Sequence, residues 1–133
     1  MRTKLAVVAT GIGLVLAAAP SFAHHSFAAE FDSNKPIKLV GTVTRIEWTN
    51  PHAWFYIDVT DQSGKIVNWG WELGSPNGLI RAGWTRNSMK VGAVVTVEGS
   101  GARDGGNTAN TRMVTLNSTG QKLFAASSQG PGQ

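Results

Sequence analysis

Short segments in which apolar and polar residues alternate constrain this chain more than any other feature, because a β-strand changes face at every residue. The clearest segment is residues 53–60, and its apolar face carries Ala53, Phe55, Ile57 and Val59. Further strands are predicted at residues 37–48, 66–73, 93–99, 111–116 and 121–125. Turn residues at 61–64 and 117–120 separate neighbouring segments. The pattern predicts a mainly β domain.

The first predicted strand changes its apolar face partway along. Ile37 and Val43 share one face, whereas Ile46 and Trp48 lie on the other, and Gly41 interrupts the run. A β-bulge or a bend explains both observations, since one extra residue moves every later side chain to the opposite face. We therefore expect a first strand that curls around a barrel.

A single short helix is predicted between the third and fourth strands. Ser75 is a favourable N-cap, Pro76 suits the first helical position, and Gly83 ends a helix over residues 77–82. Residues 100–110 are rich in Gly, Asn and Asp and predict a loop. This order favours an OB-like barrel of five to six antiparallel strands with one short helix. A small β-sandwich is the alternative.

Residues 1–23 have the pattern of a secretory signal peptide, which forms an N-terminal helix. Arg2 and Lys4 precede an apolar stretch at 5–19, and Ser21-Phe22-Ala23 has the small residues of a cleavage site. This predicts export to the periplasm, with no membrane attachment after cleavage. The apolar stretch is short for a membrane span, which needs about 20 residues, so an uncleaved anchor is the alternative.

Cleavage after Ala23 makes His24 the first residue of a mature chain of about 110 residues. The predicted parts of that chain are an N-terminal leader at 24–36, the OB-like β domain at 37–126 and a disordered tail at 127–133. A second small-x-small triplet, Ser26-Phe27-Ala28, offers an alternative cleavage site. Cleavage there would remove His24 and His25.

The charge and the absence of cysteine exclude several classes of function. The formal net charge of +4 falls to about +2 without Arg2 and Lys4, and the remaining basic residues are scattered. Nucleic-acid binding uses a basic stripe, so we do not expect it. Because the chain has no cysteine, it has no thiolate metal ligand, no cysteine nucleophile and no lipid-anchoring cysteine.

The three histidines, His24, His25 and His52, are candidate copper ligands. An N-terminal His24 offers both its α-amine and its imidazole, with ordinary pKa values of ~8 and ~6.5. Together with a ring nitrogen of His52, these make a three-nitrogen set of the kind that Cu(II) favours. His25 is an alternative third ligand or a group that supports the site. The other interpretation is that His52 is simply a solvated or hydrogen-bonded turn residue.

Trp48, Trp54 and Tyr56 are candidate ligand-binding residues, since all three lie on predicted outer faces. OB-like barrels bind flat rings, such as those of sugars or bases, on aromatic surfaces of this kind. The alternative is that Phe27 and Phe31 of the leader cover these aromatic residues and form a small second core. Large exposed apolar patches are uncommon on monomers, which favours the covered arrangement.

Catalysis has little support in the sequence. Glu47, Asp58 and Glu72 lie on predicted strands, where outward carboxylates are normally solvated or ion-paired, and nothing in the sequence pairs them. The chain also lacks a nucleophile elbow, a P-loop, a dinucleotide fingerprint and an HExxH motif. We therefore expect a protein without enzymatic activity.

Three motifs resemble those of a known family: HHSFAAEFD at residues 24–32, EWTNPHAW at 47–54 and ELGSPNG at 72–78. The chain resembles a family of small exported bacterial proteins classed as a domain of unknown function. The resemblance implies a periplasmic single-domain β-protein without an established activity. More loosely, the N-terminal histidine resembles that of copper carriers, which have a different, β-sandwich fold.

Two functional hypotheses follow from these observations. The first is a periplasmic, non-enzymatic module that binds copper through His24, His52 and His25. The alternative is a metal-free periplasmic module that binds a small ligand or a partner protein on the aromatic face.

Overall fold

The structure of the protein, a computed structural model, describes residues 27–127. The elements within this range are α1 (Phe27–Glu30), β1 (Phe31–Glu47), β2 (Trp54–Thr60), β3 (Ile66–Glu72), α2 (Pro76–Arg81), β4 (Val94–Ala102), β5 (Thr108–Leu116) and β6 (Lys122–Phe124). The predicted signal helix at 1–23 and residues 128–133 of the predicted tail lie outside the described residues. Within 27–127, no helix is long and apolar enough to cross a membrane.

Strands β1 to β5 form a closed barrel. β1 pairs antiparallel with β2 and β4, β2 pairs with β3, and β4 pairs with β5. A short parallel pairing of β3 with β5, which we call the seam, closes these five strands into the barrel. The residue pairs of the seam are Gly70 with Thr108, Trp71 with Ala109 and Glu72 with Asn110. With α2 between β3 and β4 and β6 beside β5, this is the predicted OB-like barrel.

Strand β1 is longer than the sequence predicts and contains the expected bulge. It begins at Phe31 rather than at Ile37, because the end of the leader also pairs with β4. The bulge is at Thr44, where the register with β2 shifts by one residue. At Gly41 an added Cβ would lie 2.5 Å from the carbonyl oxygen of Asp58, so the close approach of β1 and β2 requires glycine there.

Apolar residues from alternating positions fill the interior of the barrel. The buried set includes Phe55, Ile57 and Val59 of β2 and Ala53 just before it, as predicted, together with Trp71, Val95, Val97 and Val114 of other strands. The helix signals are also confirmed. The Ser75 hydroxyl accepts a hydrogen bond from Gly78 N at 3.1 Å, and Gly83 follows the helix with a φ of +94°. Leu79 of α2 is fully buried in the same core.

The predicted loop at residues 100–110 is wrong over most of its length. β4 continues to Ala102 and β5 begins at Thr108, so the connection is much shorter. The loop prediction fails because Gly99 and Gly101 lie where neighbouring strands approach each other closely. Just before the predicted loop, a Cβ added at Gly99 would overlap the carbonyl oxygen of Asn110. Within the loop, a Cβ added at Gly101 would lie 2.7 Å from Cδ1 of Ile37, so these glycines serve the packing of strands rather than a flexible loop.

Candidate functional site

Backbone hydrogen bonds hold His52 just ahead of β2, beside the end of β3. Ala53 N donates to Gly74 O at 3.0 Å, and Leu73 N donates to Ala53 O at 2.8 Å. The Thr49 hydroxyl donates to the carbonyl oxygen of His52 at 3.2 Å, which fixes the turn from the other side. The ring of His52 therefore lies next to the last residue of β3.

That last residue, Glu72, joins His52 to Asn110 in what we call the polar cluster. The His52 ring nitrogen Nδ1 lies 3.0 Å from Glu72 Oε1. Asn110 Nδ2 donates to the same oxygen at 3.1 Å. Glu72 and Asn110 are buried, whereas 40% of the His52 side chain is exposed. The cluster thus combines two buried polar side chains with one imidazole that reaches solvent.

The environment of Glu72 favours its protonated form more than water does. Burial raises the pKa of this carboxyl above its ordinary value, and the nearby negative charge of Glu30 raises it further. The positive charge of His52 and hydrogen bonds from Asn110 and His52 act in the opposite direction without cancelling the rise. Glu30, at the end of α1, is therefore near enough to interact electrostatically with Glu72.

Arg103, just after β4, holds the end of the leader against the barrel. Its Nε donates to Ala28 O at 2.6 Å, and its backbone N donates to Glu30 O at 3.0 Å. Its guanidinium also lies 3.9 Å from the carboxylate of Asp32. Phe31 is only 3% exposed. These contacts dock residues 27–32 on the barrel.

A cleft of about 340 Å³ lies between the docked leader and the barrel. Its lining residues are Ala29, Glu30, Phe31, Trp54, Ala102, Arg103, Asp104 and Thr108. Trp54 is the register partner of Glu72, so the cleft and the polar cluster share one end of the barrel.

The three predicted ligand-binding aromatic residues are all half-buried, but they have different surroundings. Trp54 lines the cleft, where Phe31 of the leader is also a lining residue. Tyr56 lies under the guanidinium of Arg45, whose carbon is 3.9 Å from the ring centre. Trp48 packs against the main core. Among these three, Trp54 alone lines the cleft.

Sequence reasoning identified Glu72 as a carboxylate but missed its surroundings, and it missed Asn110 altogether. Glu72 is buried because β5 runs beside it at the seam. Asn110 was expected in a loop, whereas it lies on β5 and is fully buried. A parallel pairing between residues 38 positions apart leaves no local pattern in a sequence, so no signal was available for this contact.

Of the three candidate copper ligands, the structure describes His52 alone, since His24 and His25 lie outside the described residues. Within residues 27–127, no group of three or more histidine, aspartate or glutamate side chains is arranged to hold a metal ion. A metal site at His52 would therefore need donors from another part of the chain.

Comparisons with known proteins give a family and a solved structure to which the chain is similar. The model of a family of unknown function, DUF6152, matches residues 11–112, which agrees with the resemblance to a family without an assigned activity. No curated protein matches the chain. The N-terminal domain of the PriB protein from Thermoanaerobacter tencongensis is similar, with 22% identity and a TM-score of 0.40. The similarity covers 63% of this chain and 97% of that domain.

Proposed function

We propose that this chain, which belongs to the DUF6152 family of unknown function, is a periplasmic, non-enzymatic module that binds copper. The ligands in this proposal are the α-amine and imidazole of an exported N-terminal His24, together with the ring of His52. His25 either replaces one of these ligands or supports the site. The proposal includes removal of the signal peptide after Ala23.

The position of Glu72 carries this proposal. Its carboxylate contacts His52, and its register partner Trp54 lines the cleft together with Glu30 of the docked leader. The docked end of the leader and the candidate ligand His52 therefore lie at the same end of the barrel. The Cα atoms of His24 and Phe27 are at most about 11 Å apart, because consecutive Cα atoms are ~3.8 Å apart. A short reach of this kind supports a site shared by the N-terminus and His52.

The chemistry of the donors favours copper over other divalent ions. An α-amine and two imidazoles are neutral nitrogen ligands at mildly alkaline pH. Cu(II) accepts such nitrogen sets in tetragonal geometry and has the highest affinity in the series of first-row divalent ions. The buried carboxylate beside His52 is also the kind of group that accompanies histidine ligands in metal sites.

The test begins with the exported protein, whose intact mass is measured with and without added Cu(II). We expect a chain that begins at His24 and takes up one copper ion. In calorimetric titration, His52→Ala should weaken Cu(II) binding about tenfold or more, equivalent to ~1.4 kcal/mol. Glu98→Gln, on the outer part of β4, is a control that should bind as the parent does.

An alanine inserted between Ala23 and His24 in a His25→Ala background provides a sharper variant, because it keeps the side chain of His24, removes its N-terminal position and leaves no histidine at the third position of the chain. It should weaken binding as His52→Ala does. A mature chain that begins elsewhere, an absence of tight Cu(II) uptake, or uptake unchanged by His52→Ala would each contradict the proposal.

The cleft beside Trp54 supports a second candidate function, the binding of a small ligand without metal. Its volume of about 340 Å³ falls at the lower end of the range for small-molecule sites. Tryptophan fluorescence in the presence of monosaccharides or nucleosides tests this function. Trp54→Ala should abolish a ligand-dependent change, while His52→Ala should leave it intact. If Trp54→Ala leaves the change intact, the ligand does not bind in this cleft.

A further inference from the structure

We propose that Glu72 is the positioning residue for His52: it fixes the ring as the Nδ1–H tautomer and so leaves Nε2 as the atom that binds a ligand. The value of this arrangement to the protein rests on the proposed copper function. The tautomer itself is a property of the metal-free protein and is tested separately.

The first step of the argument is the geometry around Glu72 Oε1. This oxygen lies 3.0 Å from His52 Nδ1 and 3.1 Å from Asn110 Nδ2. A carboxylate oxygen only accepts hydrogen bonds, so the nitrogen that faces it must carry a proton. A neutral imidazole carries one proton, and Nδ1 holds it in this arrangement. Nε2 then has a free lone pair.

The second step is that Glu72 itself has little freedom to move. It is the last residue of β3, and its register partners are Trp54 on β2 and Asn110 on the parallel strand β5. Asn110 is fully buried, so the side chain that donates to Glu72 is itself held by the barrel. The hydrogen bond from the buried Asn110 side chain therefore holds the Glu72 carboxylate in place independently of its contact with His52.

The third step is exposure. The side chain of Glu72 is 9% exposed, whereas that of His52 is 40% exposed. The ring is thus held at Nδ1 by a buried carboxylate while a large part of the side chain remains exposed to solvent. Histidine ligands of metals commonly donate their second ring N–H to a carboxylate, which fixes the tautomer and makes the ligand nitrogen more basic.

The experiment uses the full mature chain with His24→Ala and His25→Ala, so that His52 is its single histidine. Long-range proton–nitrogen NMR spectra at pH 8, without metal, report which ring nitrogen carries the proton. We expect the Nδ1–H tautomer. Glu72→Gln retains an acceptor oxygen and should retain this tautomer, whereas Glu72→Leu should populate the Nε2–H form. Glu98→Gln should match the parent.

An Nε2–H tautomer in the parent would overturn the inference, and this measurement requires no variant of Glu72 to fold. Identical tautomers in Glu72→Gln and a folded Glu72→Leu would also overturn it. In the chain with all three histidines, Glu72→Leu should weaken Cu(II) binding about 10- to 100-fold. If the tautomer is Nδ1–H but no copper binds, the copper proposal fails and the positioning of His52 stands.

Discussion

The interior of the barrel and the polar cluster at its end are built on different principles. Interior residues such as Phe55 and Val97 are apolar, fully buried and set by an alternation that is visible over a few neighbouring positions. The polar cluster joins His52, Glu72 and Asn110, which are far apart in sequence, through two hydrogen bonds to one oxygen. Packing of apolar groups is not directional, whereas these hydrogen bonds require particular atoms at particular distances.

This difference indicates where stability and specificity reside. Burial of large apolar side chains supplies most of the free energy that holds the barrel closed. The cluster contributes little net stability, because burying a carboxylate and an amide offsets much of what their hydrogen bonds provide. Its value lies in the orientation of one exposed imidazole. Substitutions in the two regions should therefore affect different measurements.

The largest effect on stability is expected from Phe55→Ala in the interior. Phe55 is fully buried against Trp71, with ring centres 6.5 Å apart, so the truncation leaves a cavity. The free energy of unfolding should fall by about 3–5 kcal/mol in urea titrations. A loss below about 1 kcal/mol would contradict the expectation that the interior contributes more to stability than the polar cluster does.

The next largest effect is expected from Gly99→Ala, where the interior and the cluster meet. The new Cβ would overlap the backbone of Asn110, which cannot move as a flexible side chain does. We expect a loss of about 1–3 kcal/mol in thermal or urea unfolding. NMR signals of Asn110 and His52 should shift as well. Gly106→Ala, whose nearest contacts are atoms of the Asp104 side chain, is the control and should cost less.

Asn110→Ala tests the cluster by itself. It removes one of the two hydrogen bonds to the buried oxygen of Glu72, but it also removes the amide oxygen of Asn110, which is buried without a partner. These effects partly offset each other, so unfolding should become easier by about 1–2 kcal/mol. Asn87→Ala, at an exposed position between α2 and β4, should stay within about 0.5 kcal/mol of the parent. An equal loss in the free energy of unfolding of the two variants would show that the buried hydrogen bond of the cluster does not contribute to stability.

The smallest effect on global stability is expected from Arg103→Ala. Half of this side chain is exposed, so its ion pair with Asp32 should contribute less than about 1 kcal/mol. Its contacts with Ala28 and Glu30 nevertheless dock the leader. Limited proteolysis should therefore cut residues 27–32 faster in this variant, while Arg112→Ala digests as the parent does. Unchanged digestion would mean that other contacts, such as the burial of Phe31, dock the leader.

Much of the fold was predictable because its signals are local. The alternation of β2, the bulge in β1 and the Ser75–Pro76 helix start each depend on a few neighbouring residues. The predicted loop at 100–110 failed because glycine has two roles, and composition does not separate a turn from a close approach of strands.

The candidate site was predictable only in part. His52 was identified by its chemistry, and its position in a turn followed from Asn50-Pro51. Its partners Glu72 and Asn110 meet through the seam, which depends on the closure of the whole barrel. The docking of the leader likewise depends on Arg103, which follows Ala28 by 75 positions. Contacts of this kind follow from the three-dimensional path of the chain and not from any local pattern.

The seam is the shortest of the strand pairings that close the barrel, and Glu72 and Asn110 form its last residue pair. Transient parting of β3 from β5 would expose their amides to deuterium exchange without global unfolding. The same motion would withdraw Asn110 from Glu72 and free the imidazole to rotate. A ligand that binds the imidazole only while β3 and β5 are paired must therefore slow amide exchange along these two strands. Ligand binding at His52 and local opening of the seam are therefore thermodynamically linked.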